Sequence, residues 1–278
     1  MPGSAIDPMV PVPFRIEKVT RELGDTFTLT LVPEAGGEFA FAPGQFNMLY
    51  VFGVGEVPIS ISGDPTKTGP VVHTVRAVGG VTRALEAMKV GQTVGLRGPF
   101  GSPWPVADAY GKDVLIVAGG VGLAPLRPVV HAVLSQREKF GRVVILYGAR
   151  TPADILFEKE LHNWRGRFDV TVEVTVDRAA PGWTGNVGVV TKLIEQTHFD
   201  AEDALAFVCG PEVMMRFAVR TLNTRGVDDK DIRVSMERNM KCALGFCGHC
   251  QWGRHFVCKD GPVFSFDKVR DLFNVREL

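Results

Sequence analysis

The chain has no cysteine in its first 208 residues, only three tyrosines in 278, and no excess charge of either sign, since 31 lysines and arginines balance 31 aspartates and glutamates. That balance excludes bulk attraction to nucleic acid or acidic membranes and leaves only local anion sites. Long apolar runs are also missing. The strongest, 114–126 and 39–55, are broken by glycine, by Pro43, and by Gln45 and Asn47, short of the ~18–20 continuous apolar residues of a membrane span. The opening MPGSAIDPMVPVPFR lacks the basic-then-apolar order of a signal peptide, so a soluble, cytoplasmic protein is expected. The five cysteines are an odd count, and four of them (Cys242, Cys247, Cys250, Cys258) lie in the last 37 residues. A secreted disulfide scaffold spreads an even count through a short chain. Clustered thiols point instead to a metal.

What is present is ordinary globular material, 45% hydrophobic and 22% charged, in a length that suggests two or three domains. Residues 1–10, with Pro2 and Pro8 among small residues, read as a flexible leader. From 11 to 108 the segments FRIEKVT, TFTLTLV, QFNMLYVFGV, VPISIS, VVHTVRAV and TVGLRG are short, β-branched and separated by turn residues, which predicts a closed antiparallel barrel interrupted by one helix over 82–88. From 109 to 234 continuous apolar strands (DVLIVA, RVVILYGA, ALAFVC) alternate with helical segments, the pattern of a doubly wound parallel sheet. The tail, 235–278, is too small for its own apolar core and needs a metal or a docking surface.

Motifs at three places in the chain's organisation carry chemistry. The tail reads Cys242-x4-Cys247-x2-Cys250-x7-Cys258. Its start has the plant-type [2Fe–2S] spacing, although the last gap is much shorter. Four thiolates also suit tetrahedral zinc, but zinc sites usually use two C-x2-C pairs and this tail has one. Second, Gly119-Gly120-Val121-Gly122-Leu123-Ala124-Pro125 follows the first parallel strand and opens a helix, where glycines admit a pyrophosphate to the helix N-terminus; a plain tight turn reads the same way. Cys209-Gly210-Pro211-Glu212 ends the fourth such strand beside the switch point, although Cys209 also suits a small buried hydrophobe. Third, Gly79-Gly80-Val81-Thr82 precedes the one helix of the barrel, either as a diphosphate seat or as an ordinary turn capped by Thr82.

Taken in order, FAPGQF (41–46), EVPISISGDP (56–65), AVGGVTRAL (77–85), RGPFG (97–101), VAGGVGLAP (117–125), YGARTPADILF (147–157), VCGPEVMM (208–215) and SMERNMKCALGFCGHC (235–250) resemble the ferredoxin–NADP reductase superfamily. More narrowly, the chain resembles its branch with a C-terminal [2Fe–2S] domain. That branch includes the electron-transfer subunit of class 1B dihydroorotate dehydrogenase and the gamma (diaphorase) subunit of cytosolic NAD(P)-linked [NiFe] hydrogenases, or sulfhydrogenases. The resemblance implies FAD on the barrel, at Pro58, Ile59, Ser60, Ile61, Arg76, Gly79, Gly80, Val81 and Thr82. Ser60 would lie near the flavin N5 edge and Ile59 where many members stack a tyrosine. Val57 stands where the family motif has an arginine for the diphosphate, so Gly79–Thr82, with Arg76 or Arg83, has to compensate. NAD or NADP is implied at Gly119, Gly120, Gly122, Pro125, Cys209, Gly210, Pro211 and Glu212. Arg150, with Arg178, is a candidate for a 2′-phosphate, and Cys242, Cys247, Cys250 and Cys258 for the cluster. Ser60, Cys209 and Glu237 are candidates to position or tune, not to act as acid or base.

The implied activity is that of a flavin oxidoreductase subunit, converting a two-electron hydride into single electrons. The implied partners are the catalytic and iron–sulfur subunits of a hydrogenase-like complex, since EVPISISGDP without an arginine is closer to the hydrogenase gamma subunits. A dihydroorotate dehydrogenase partner is the alternative. A zinc-holding assembly subunit without redox chemistry is a third reading, which a colourless preparation would support.

Overall fold

The computed structural model describes residues 7–273 and residue 275. Residues 1–6 of the expected leader lie outside the described residues. Residues 7–10 are exposed and form a turn: Val10 N–H donates to the Asp7 carbonyl (3.0 Å) and Met9 N–H to the Asp7 carboxylate (2.8 Å).

Six strands, β1 (Val12–Arg21), β2 (Thr26–Pro33), β3 (Phe46–Val51), β4 (Gly55–Ser60), β5 (Val71–Arg76) and β6 (Thr93–Phe100), form an antiparallel sheet in the order β4-β3-β6-β1-β2-β5. Alternation sends Phe14, Ile16, Phe27, Leu29, Leu31, Leu49 and Leu96 inward to one buried core, as period two demands. The sheet curls until its end strands meet, through the Ile61–His73 bridge and the Ser62 N–H donating to the Val72 carbonyl (2.8 Å). Helix α1 (Gly80–Ala87) packs against β3 and β4. It starts two residues earlier than the sequence suggests, because Gly79 is the capping residue.

The second unit runs β7 (Asp113–Gly119), α2 (Leu123–Ser135), β8 (Val143–Ala149), α3 (Glu158–Arg165), β9 (Thr171–Val176), β10 (Asn186–Val187), α4 (Val190–Gln196), β11 (Ala204–Cys209), α5 (Glu212–Thr224) and β12 (Ile232–Ser235). The tail adds β13 (Gln251–Trp252), β14 (His255–Phe256), α6 (Val257–Asp260), β15 (Val263–Ser265) and α7 (Phe266–Phe273). The large sheet has the order β10-β9-β8-β7-β11-β12-β15. Both faces of β7 are covered: Val114 and Ile116 face α2 and α3, while Leu115 and Val117 face α4 and α5. That two-sided burial is why DVLIVA shows no alternation.

The sheet is not wholly parallel. β15 joins β12 antiparallel, with Val234 opposite Phe264, so the tail completes the nucleotide sheet instead of standing apart. Trp252, Val257, Phe264 and Phe273 extend the core formed by Val208, Val234 and Met236, and Phe46 and Met48 of the barrel join the same core. This is the docking surface that the tail needs. Among the described residues no helix is long and apolar enough to cross a membrane.

Candidate cofactor sites and their junction

The cysteine loop starts where the chain leaves β12. Ala243 (φ 64°), Gly245 (φ 76°) and Gly248 (φ 76°) turn successive N–H groups to one side, the geometry of an anion-binding nest. Leu244 N–H (3.4 Å) and Phe246 N–H (3.3 Å) donate to Cys242 Sγ, Gly245 N–H to Cys258 Sγ (3.2 Å) and Cys258 N–H to Cys250 Sγ (3.4 Å). Burial alone would push the Cys242 thiol up, but backbone donors from Leu244, Cys247 and Phe246 outweigh it and bring it down to about 6. Burial and then the neighbouring Cys250 thiol hold Cys258 up at about 12. Cys242, Cys250 and Cys258 are buried and Cys247 is exposed. Among the described residues no three His, Cys, Asp or Glu side chains converge on the position of a single ion. Four thiolates in one loop, with backbone N–H groups donating to their sulfurs, fit a [2Fe–2S] cluster. His249 is exposed within this loop.

The dinucleotide motifs meet at the switch point between β7 and β11. A Cβ on Gly122 would lie 2.5 Å from the Cys209 carbonyl oxygen, and one on Gly119 would lie 2.3 Å from Met214 Sδ. These two glycines therefore serve loop-on-loop packing. Gly120 differs: its φ is +54° and nothing lies within 4 Å of its Cβ position, so it faces open space where a phosphate can approach. Pro125 sits inside the first turn of α2, and its carbonyl accepts from Trp104 Nε1 (3.1 Å). Gly210 (φ +158°) lets the β11 loop pass Gly119, and Pro211 caps α5. Glu212 opens α5 and pairs with Arg216 (2.6 Å) and Arg238 (3.5 Å). Burial pushes the Cys209 thiol up, and the Glu237 charge adds to it, against a hydrogen bond from Ser235. Cys209 is thus a thiol, not a thiolate, facing a carboxyl. Glu237 keeps an exposed surface, yet desolvation raises its carboxyl above the usual range.

On the barrel, all six residues of β4 are half-buried while its neighbour β3 is mostly buried. β4 has one laddered neighbour among the described strands, β3. Its outer edge carries no ladder over Gly55–Ser60, although His73 takes the Ser60 carbonyl and α1 packs alongside. Val57 and Ile59 sit opposite Leu49 and Asn47 and pack against the barrel core, whereas Pro58 and Ser60 share the other face with Met48 and Phe46. Thr82 is not an N-cap. From the third helical position its Oγ1 accepts from Gly79 N–H (2.8 Å) and Val78 N–H (3.0 Å). Arg76 is engaged with Asp25 (2.7 Å) at the far end of β5.

Sequence reasoning missed the residues that join these sites. His73 is wholly buried; its ring nitrogens lie 3.0 Å from the Ser60 carbonyl and 3.0 Å from Asn47 Nδ2. Burial lowers its pKa to about 4, so the neutral ring donates from Nδ1 to Ser60 and accepts at Nε2 from Asn47. Arg127 on α2 donates to the Ser62 carbonyl (2.7 Å) and pairs with Glu160 on α3 (2.8 Å). His131 lies between Glu160 (3.6 Å) and Asp64 (3.9 Å), and burial, then the Arg127 charge, lower its pKa. Arg97 on β6 spans the barrel and the cysteine loop. It pairs with Glu56 (2.8 Å) and donates to the carbonyls of Lys241 and Cys242 (both 3.2 Å). Only RGPFG hinted at Arg97, and nothing local marked Glu56 as its partner.

The profile of the oxidoreductase NAD-binding domain matches residues 116–220, and that of the iron–sulfur cluster binding domain of dihydroorotate dehydrogenase B matches 237–270. Sulfhydrogenase 1 subunit gamma of Pyrococcus furiosus is 37% identical over 241 residues, covering 84% of this chain and 82% of that protein. The chain belongs to this family of electron-transfer subunits. A probable dihydroorotate dehydrogenase B (NAD(+)) electron transfer subunit of Methanocaldococcus jannaschii is 33% identical over 265 residues, covering 94% of this chain and 91% of its own length. A solved NADH-dependent reduced ferredoxin–NADP oxidoreductase, studied for flavin-based electron bifurcation, matches 100% of this chain and 96% of its own, with 28% identity and a TM-score of 0.72. The ferredoxin–NADP reductase of Neisseria gonorrhoeae, with bound FAD and NADP, shares the fold at TM-score 0.65 and 20% identity over 77% of this chain and 91% of that one. Like its relatives, the chain is an NAD(P)H-dependent flavin oxidoreductase subunit of the FAD, [2Fe–2S] and NAD(P) type. The fold class follows the sequence reading, with β15 as the antiparallel exception.

Proposed function

We propose that the chain is the diaphorase subunit of a [NiFe] hydrogenase complex, exchanging hydride with NAD(P)(H) and single electrons with the partner's iron–sulfur and catalytic subunits. FAD on the barrel supplies the conversion between paired and single electrons. The observation that carries the reading is the shared core: the cysteine loop packs at once on Phe46 and Met48 of the barrel and on the nucleotide sheet. A shared core of this kind supports a path in which the flavin and cluster ends meet at one junction. The half-buried strand β4 would receive the isoalloxazine, with Ser60 held by His73. Gly120 would admit the pyrophosphate, and Cys209 and Glu237 would flank the nicotinamide. The sulfhydrogenase similarity and the absence of an arginine at Val57 favour the hydrogenase partner. Anaerobic purification of the native complex, with flavin and metal analysis, tests it. Nickel and a large catalytic subunit support the proposal, whereas a dihydroorotate-oxidising flavoprotein partner, or a colourless zinc protein, overturns it.

The nucleotide preference is proposed to be NADP. Arg150 and Arg178 are both exposed at the ends of adjacent parallel strands, where Arg178 N–H donates to the Arg150 carbonyl (3.0 Å). Two forks side by side suit a phosphate monoester. The double variant Arg150→Ala with Arg178→Ala is expected to lower kcat/KM for NADPH by about 10–100-fold, with NADH within about threefold. An unchanged NADPH-to-NADH ratio in steady-state reduction of an artificial acceptor refutes the clamp.

A further inference from the structure

Arg97 is 3% exposed at an apolar junction, opposite Met48 on β3. Its five N–H donors are all used. Nε and Nη2 meet the two Glu56 oxygens (3.0 and 2.8 Å), Nη2 also meets the Lys241 carbonyl (3.2 Å), and Nη1 meets the carbonyls of Pro8 (3.0 Å) and Cys242 (3.2 Å). Removing a guanidinium from water is costly, and complete hydrogen bonding with one carboxylate is what makes it tolerable. Joining the barrel to the tail does not in itself require charge, because Phe46 and Met48 do so with apolar surface. The charge stands between Glu56 on β4 and the backbone carbonyl of Cys242, the first cluster cysteine in the sequence.

We propose that Arg97 is a positioning residue that holds the cysteine loop against β4 and raises the reduction potential of the cluster, with Glu56 moderating its charge. The proposal rests on the reading of the tail as a [2Fe–2S] site. Each electron accepted there adds one negative charge, and a fixed positive charge in a poorly solvated interior favours that reduced form. Glu56 binds the side of the guanidinium away from Cys242, so its carboxylate offsets part of that field. Removing either partner should therefore shift the potential in opposite directions, which a merely mechanical strut does not do.

The test is a mediated redox titration of the intact, anaerobically purified complex, followed by electron paramagnetic resonance of the reduced cluster. At the potential where the wild type is half reduced, Arg97→Gln is expected to show an oxidised-to-reduced ratio about tenfold higher. Glu56→Gln should show a lower ratio than wild type, and Arg97→Lys should recover most of the Arg97→Gln shift. Equal ratios in all three variants, or shifts of the same sign for Arg97→Gln and Glu56→Gln, overturn the proposal. If Arg97→Gln fails to fold, Glu56→Gln decides alone, and an unchanged or raised ratio overturns it. A wild-type complex with no reduced-cluster signal would instead sink the reading of the tail itself.

Discussion

Alanine at Gly122 is expected to destabilise the protein by about 3 kcal/mol and to cut flavin reduction by NAD(P)H about a hundredfold. The new Cβ would meet the Cys209 carbonyl oxygen and carbon at 2.5 and 2.6 Å and Gly210 Cα at 2.7 Å. All three are backbone atoms of the neighbouring loop, so no side-chain rotation relieves the overlap, and the switch-point crevice must open. Gly120→Ala is the contrasting control. Its left-handed backbone costs about 1–2 kcal/mol, but no neighbouring atom is displaced. Urea denaturation separates the two in stability and stopped-flow reduction separates them in turnover. A Gly122→Ala protein with the wild-type urea midpoint would show that the crossing of the two glycine loops is misplaced.

The second large effect is acid lability. His73 titrates at 6.5 in an unfolded chain and at about 4 in the fold. Below pH 6.5 the unfolded state therefore binds a proton that the folded state refuses, and stability falls as pH falls. The loss between pH 6.5 and 4 amounts to about 3 kcal/mol, and the contribution is fully present above pH 6.5. His131, also lowered, contributes with the same sign. His73→Gln keeps a donor for Ser60 and removes the titration, so the wild-type slope over this window should flatten by most of that amount. Denaturation curves at pH 7 and pH 4.5 give the answer, and parallel pH dependence in both proteins would exclude His73 as the cause. Asp25, Asp64 and Asp169, whose carboxyls are lowered, act only below pH 4.

Period and punctuation made the two large units legible. DVLIVA announced a strand buried on both faces, and Gly119–Gly122 lay where the switch point put them. The thiol spacing carried the cluster because four side chains and their glycines are contiguous in sequence. What stayed hidden was pairing across distance. Nothing around His73 says that it will close the barrel against Ser60, because the bridge to Ile61 depends on how far the sheet curls. Glu56 and Arg97 are separated by 41 residues and are ordinary charged residues until folding buries one of them. The strand Val263–Ser265 was missed because three residues carry no periodicity, and its place depends on the free edge of β12. Gly122 was read for ligand approach, whereas its nearest neighbour is protein, a distinction that needs the opposing loop.

The way β15 lies along β12 has a consequence for how such subunits diversify. Excising the metal-bearing end would leave a bare hydrogen-bonding border and uncover Val234 and Met236, so the remnant would tend to self-associate. The iron module is therefore not an exchangeable cartridge. A lineage that discards it must first find another lining for that border.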